Sequence, residues 1–200
     1  SDAPAGTPEL LRKDFMVEKG RAYGVDVSLK YENMRWYLWG AYSLGYVNKD
    51  YEDEYKQLHT YRTHYDRRHN VNLIATYTAG SKHQWEISAR WNFGTGFPFT
   101  KVSGFYEELP YNNIYFDPYT ESGNVGIIYS DLNTGQLPTY HRLDFDLKRK
   151  FFFTESVILE ADFSITNVYD RKNIFYIDIM TAKTIYQLPL MPSIGLTLSF

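Results

Sequence analysis

The chain has no cysteine among its 200 residues, which excludes disulfides, thiolate metal sites and cysteine nucleophiles together. No apolar run comes near the ~20 residues that a membrane-spanning helix needs. The formal charge of -3 leaves no basic footprint, so nucleic acid is not an expected partner. The opening stretch SDAPAGTPELLRKD lacks the apolar core of a signal peptide. Residues 1–19 therefore read as a loop leading into the first strand, with any export signal upstream. Catalytic patterns are missing as well. GTGFPFT at residues 94–100 lacks the Lys-Ser/Thr ending of a phosphate loop, and no nucleophile elbow places Ser, His and acid together. No enzyme activity and no cofactor are expected.

Rings are abundant. With 19 Tyr, 13 Phe and 4 Trp at a mean hydropathy of -0.45, the chain is rich in amphipathic side chains without being greasy. Strict alternation of apolar and polar residues recurs in segments of about ten, the signature of half-exposed strands. In RAYGVDVSLKY, for example, Tyr23, Val25, Val27, Leu29 and Tyr31 oppose Ala22, Gly24, Asp26, Ser28 and Lys30. The spacing predicts about seven antiparallel strands, near residues 20–31, 35–47, 67–78, 84–94, 140–150, 156–167 and 193–200, with a hairpin at 174–188. The stretches from about 48 to 66 and 94 to 139 read as long loops.

Alternation alone does not say which face meets water. In a soluble sandwich the apolar face packs on a second sheet; in a transmembrane barrel it meets lipid and the polar face lines a lumen. Two patterns favour the barrel. Tyr31, Trp36, Tyr77 and Trp85 flank the short connections, whereas Tyr42, Tyr46, Trp91 and Phe93 flank the long ones, with aliphatic residues between. Trp and Tyr favour the membrane-water boundary. Short and long connections also alternate, as periplasmic turns and extracellular loops do. Arg90, Arg142, Asp144, Asp146, Lys148, Glu160 and Asp162 share the polar parity and are expected to face a lumen, where they could contact a plug or simply hydrate the wall.

Two loop clusters invite chemistry. Tyr61, Arg62, His64, Tyr65, Arg67 and Arg68 could grip an anionic ligand through guanidinium pairing and ring stacking; contact with lipopolysaccharide phosphates or plain solubility is the blander reading. His59, His64 and His69 recur at intervals of five near Asp50, Glu52, Asp53 and Glu54. That interval puts neighbouring histidines on opposite strand faces, so no metal site is expected.

The motifs GRAYGVDVSLK, DRRHNVNL, RWNFGTGFPFT, LPTYHRLDFDLKRKF, ADFSITNVYDRKNIFYID and YQLPLMPSIGLTLSF, in this order, resemble the C-terminal part of a TonB-dependent receptor barrel of the Bacteroidetes type. The resemblance runs from about Gly20 to Phe200. It implies an outer-membrane receptor taking up a ferric siderophore, cobalamin, an oligosaccharide or a similar solute. It also implies a final aromatic, here Phe200, read by the barrel-assembly machinery, and partners in lipid, lipopolysaccharide and TonB. Family barrels have about 22 strands and an N-terminal plug; about seven strands imply that the plug and the other strands lie elsewhere in the same protein. A complete eight-stranded barrel with a structural or adhesive role is the alternative, if residues 174–188 add a wall strand. An outer-membrane hydrolase and a soluble sandwich are further alternatives.

Overall fold

The computed structural model describes residues 18–53, 55–108, 124–154, 156–178, 181 and 183–200. Most of the expected lead-in, together with Glu54, lies outside them. The described strands are β1 (Glu18–Glu32), β2 (Trp36–Glu52), β3 (Leu58–Arg62), β4 (His69–Ala79) and β5 (Trp85–Gly94). They continue with β6 (Pro98–Phe99), β7 (Val102–Glu108), β8 (Asn124–Tyr129), β9 (Gly135–Gln136) and β10 (Tyr140–Phe152). The last four are β11 (Ile158–Thr166), β12 (Ile174–Ile177), β13 (Thr184–Tyr186) and β14 (Met191–Ser199). The chain divides into two compact units.

The larger unit comprises Gly24–Gly45, Arg67–Phe97 and Leu137–Phe200. Its frame is a single sheet in the order β1-β2-β4-β5-β10-β11-β14, antiparallel at every pairing with a defined register. One cross-strand row reads Trp36, Tyr77, Ile87, Leu147, Phe163, Ile194, and the next reads Leu38, Ala75, Ala89, Phe145, Ile165, Pro192. The apolar parities of six strands thus fall on one face without a register slip. Among the described residues nothing covers that face: apart from Pro98 no apolar side chain is buried, and Trp36, Leu38, Leu73, Ile87, Phe163, Ile194 and Leu196 are exposed. From Trp85 to Phe93 is about 27 Å of strand.

The edges β1 and β14 do not pair with each other among the described residues. The described residues are therefore all-β and antiparallel, as expected, but among them the sheet is open and no closed barrel is found. β12 and β13 pair with each other and stay off the sheet. Within the expected hairpin segment 174–188, these two strands add none to the main sheet.

Short connections are built from local polar bonds. Between β1 and β2, the Asn33 side-chain oxygen accepts from the Arg35 and Trp36 amides at 2.9 and 2.8 Å, an Asx turn that competes well with extended chain. Between β4 and β5, Gly80 at φ 92° takes a conformation that costs glycine least. FFFTE turns later than expected: β10 continues through Phe152, and the Thr154 hydroxyl accepts from the Val157 amide at 3.0 Å. These three turns occupy 33–35, 80–84 and 153–157, whereas the alternate connections run 53–68, 95–139 and 167–190.

The smaller unit holds the described residues of Ser1–Tyr23, Tyr46–Asp66 and Pro98–Gln136. Here the structure departs from the expected loops. β1 begins at Glu18, inside the expected lead-in. β2 continues to Glu52 and pairs with β3; β7 pairs with β8 and β6 with β9. The short strands among these, of two to seven residues, are too short for a period-2 pattern to stand out. Asp53 organises the β2–β3 turn, accepting from the Tyr55 and Gln57 amides at 2.9 and 2.8 Å while its second oxygen meets His59 Nε2 at 2.9 Å. The Gln57 amide foremost, then His59, hold the Asp53 carboxyl below its ordinary 3.8. A carboxyl whose folded value is depressed stabilises above its unfolded value, and the benefit goes as pH falls through the folded one. Hydrogen exchange at the Tyr55 and Gln57 amides is expected to be slow at neutral pH relative to the intrinsic rate and to lose that protection only as the pH falls through the lowered Asp53 value. Asp53→Ala should abolish the protection already at neutral pH.

Candidate functional site

The polar face of the larger unit is where charge collects. Arg90, Arg142, Asp144, Asp146, Lys148, Glu160 and Asp162 all stand on it, as their parity requires. The register sets Asp144 opposite Arg90, Lys148 opposite both Glu86 and Asp162, and Lys150 opposite Glu160. Arg142 donates from Nε and Nη2 to Asp144 Oδ2 at 3.1 and 2.9 Å. Lys150 approaches Glu160 at 3.7 Å and Lys148 approaches Glu86 at 4.0 Å. Lengthwise, the face passes from these pairs near the short turns to amides and arginines near the long connections.

At that second end lies a cleft of about 470 Å³ lined by Arg67, Asn70, Asn72, Arg90, Asn92, Arg142 and neighbours. Asn72, Asn92 and Arg142 form one cross-strand row. Arg67 reaches the cleft from the segment before β4 and is held on three sides. Its Nε donates to the Thr95 carbonyl at 3.1 Å, and its guanidinium lies 4.3 Å over the Phe97 ring and 5.4 Å from that of Tyr140. A Cβ on Gly94 would run into that guanidinium, so the glycine is what leaves room for it. Arg67, read in sequence as a loop residue, therefore joins Arg90 and Arg142, read as lumen residues. Asn70, Asn72 and Asn92 went unnoticed as site residues. Their signal was present, amides on the polar parity at the same end of adjacent strands, but only the register shows that they converge.

The rest of the loop cluster goes elsewhere. Tyr61 and Arg62 line a second cleft, of about 820 Å³, within the smaller unit, together with Tyr51, His59, Ser130 and Asn133. Tyr61 donates to Glu18 at 2.6 Å, and Glu18 also takes the Lys49 ammonium at 2.6 Å. Arg62 Nε is bound at 2.7 Å to Asp66, which is 1% exposed and accepts from the Val47 amide at 3.1 Å. These groups tie the loop together. His64 and Tyr65 are exposed and meet each other edge-on at 5.0 Å. Arg68 offers its backbone carbonyl to the Gly45 amide at 3.0 Å. His59 stacks on Tyr51 at 5.2 Å and His69 Nδ1 lies 2.9 Å from the Tyr42 hydroxyl. No group of three or more His, Asp or Glu residues among the described residues is placed to hold a metal ion.

Among the described strand residues of the larger unit, one charge stands on the apolar face. Arg149 pairs across the strands with Trp85, its guanidinium 4.5 Å over that ring and 4.4 Å over Phe151. It lies near the short turns, one apolar row beyond the Trp36–Tyr77 ring pair, whose centroids are 4.6 Å apart. Phe200 follows β14, 96% exposed. Comparison with known protein families, with curated proteins and with solved structures finds no match.

Proposed function

We propose that this chain is part of the wall of an outer-membrane β-barrel of the TonB-dependent receptor type, serving uptake of a solute such as a ferric siderophore, cobalamin or an oligosaccharide in a Gram-negative bacterium. The observation that carries the reading is the uncovered apolar face, six strands in opposition to a charged one, with no apolar side chain of that face buried among the described residues. A sheet in water must bury its apolar face against another layer, and contiguous exposed apolar area of this extent marks an interaction surface. Lipid fits the layout of that surface: rings at two levels, aliphatic residues between, and Arg149 stacked on rings beside the short turns. Charged groups on the other parity would meet a wet lumen, where they cost little. In this reading the edges β1 and β14 pair with further strands of the same barrel, because hydrocarbon does not tolerate open backbone edges.

Lipid contact is directly measurable. Trp91 stands on the apolar parity and Trp39, opposite Ile74, on the polar one. In bilayers with brominated acyl chains, a chain keeping Trp91 alone should be strongly quenched and a chain keeping Trp39 alone should be nearly unquenched. Equal quenching of both, or recovery of the parent protein from cytosol, overturns the proposal. TonB, the plug, the assembly machinery acting on Phe200 and lipopolysaccharide are the partners it entails.

A further inference from the structure

The arginine and asparagine cleft on the polar face carries more hydrogen-bonding capacity than the protein uses. Among the described residues Arg90 makes no ion pair or hydrogen bond, and Arg67 spends only Nε, on Thr95. Arg142 alone of the three has its charge balanced, by Asp144 at 2.9 Å. The side-chain amides of Asn70, Asn72 and Asn92, each with two donors and an acceptor, have no protein partner among the described residues either. Idle donors in one concavity are ordinary on a flat wet surface. Here, however, Arg67 is fixed by a carbonyl bond, a ring beneath it and the missing side chain of Gly94, so its free Nη groups are pre-organised toward the cleft.

We infer that this cleft binds a small polyhydroxylated carboxylate, an acidic sugar. Two uncompensated guanidinium groups select an anion, and guanidinium matches a carboxylate bidentately. Carboxamides both give and accept hydrogen bonds, which suits hydroxyl groups and does nothing for a bare anion. Asn72, Asn92 and Arg142 stand in one row about 5 Å apart from strand to strand, with Arg90 two residues along β5 from Asn92. A ligand lying across the row can therefore meet amides with its hydroxyls while its carboxylate reaches Arg90. The inference rests on the uptake reading only for its meaning, as a station along a solute path; the chemistry of the cleft stands without it.

The test is titration of the intact chain in detergent micelles with D-galacturonate, D-galactose and sulfate, followed by calorimetry or saturation-transfer NMR. Galacturonate is expected to bind about tenfold or more tightly than either galactose or sulfate, the size of one charge-assisted contact. Arg90→Gln should bring galacturonate down to the galactose level and leave galactose unchanged, whereas Arg90→Lys should restore part of the difference. Asn92→Ala should weaken both sugars. Sulfate binding as well as galacturonate would reduce the cleft to a bare anion site and overturn the inference. So would absence of galacturonate binding, or an unaltered Arg90→Gln, in a chain whose near-ultraviolet spectrum shows it folded. Brominated lipid separates the two proposals: quenched Trp91 without sugar binding sinks only the ligand, and sugar binding with unquenched Trp91 sinks only the membrane.

Discussion

Arginine at position 89 is expected to cost the bilayer-embedded protein about 2–4 kcal/mol, whereas arginine at position 159 costs about 0–1 kcal/mol. Ala89 stands in the row of Leu38, Ala75, Phe145 and Ile165, midway between the two levels of rings. Leu159 lies opposite Phe151 and Leu198, beside the short turns and beyond the level where Arg149 already sits. In lipid the penalty of a guanidinium depends on depth because water and headgroups reach it only near the boundary. Ser164→Arg, on the opposite parity, should be nearly neutral. Urea unfolding from phospholipid vesicles measures all three. A soluble sandwich makes a different forecast, since a packed core charges for an arginine wherever the site is covered. Equal costs at 89 and 159 would therefore count for the sandwich and against the barrel wall.

Asn167→Ala is expected to lower stability by about 3 kcal/mol or more, from lost bonds and from buried polar groups left without partners. Asn167 is fully buried in the larger unit, a polar residue in a place where apolar ones are not found. Its Nδ2 donates to the carbonyls of Arg171 and Leu188, both at 3.0 Å, its Oδ1 accepts from the Arg171 amide at 3.0 Å, and its own amide donates to Asp144 Oδ1 at 3.0 Å. Its φ of 56° adds a strain that alanine bears worse than asparagine. Asn173 completes the corner, with Nδ2 donating to the His141 carbonyl at 2.9 Å and Oδ1 accepting from the His141 amide at 3.2 Å. Thermal unfolding of Asn167→Gly separates the terms. Glycine loses the same side-chain bonds but tolerates the backbone, so it should recover about 1 kcal/mol relative to alanine. A wild-type melting temperature for Asn167→Ala would show that the corner is ornamental.

How much of this was legible beforehand differs by residue. The seven sheet strands were visible because each half-exposed strand must sort its side chains by parity, and the sorting survives in one dimension. Arg149 shows the limit: within LKRK it falls on the apolar parity, yet only its contacts with Trp85 and Phe151 explain why a charge is tolerated there. The strands β3, β7 and β8, of 5, 7 and 6 residues, were too short for parity to stand out from the irregular chain around them. Asn167 was read as the end of the strand near 156–167, although its side chain is what shapes the turn that follows. A sequence can show that asparagine favours turns without showing which carbonyls it will close on.

Sequence alone determined the all-β class, the parity of each long strand, the ends at which short and long connections gather, and the charges that share one face. All four depend on neighbours a few residues apart, where the period of the strand does the work. Tertiary structure decided what depends on register: that Trp36, Tyr77, Ile87, Leu147, Phe163 and Ile194 form one row, that no apolar layer covers it among the described residues, and that β12 and β13 stay off the sheet. It also decided that Arg67, Arg90 and Arg142, assigned in sequence to different regions, meet beside three asparagines. A shift of one residue in any pairing would have sent each side chain to the other face, and pairing partners tens of residues apart cannot be aligned by parity alone.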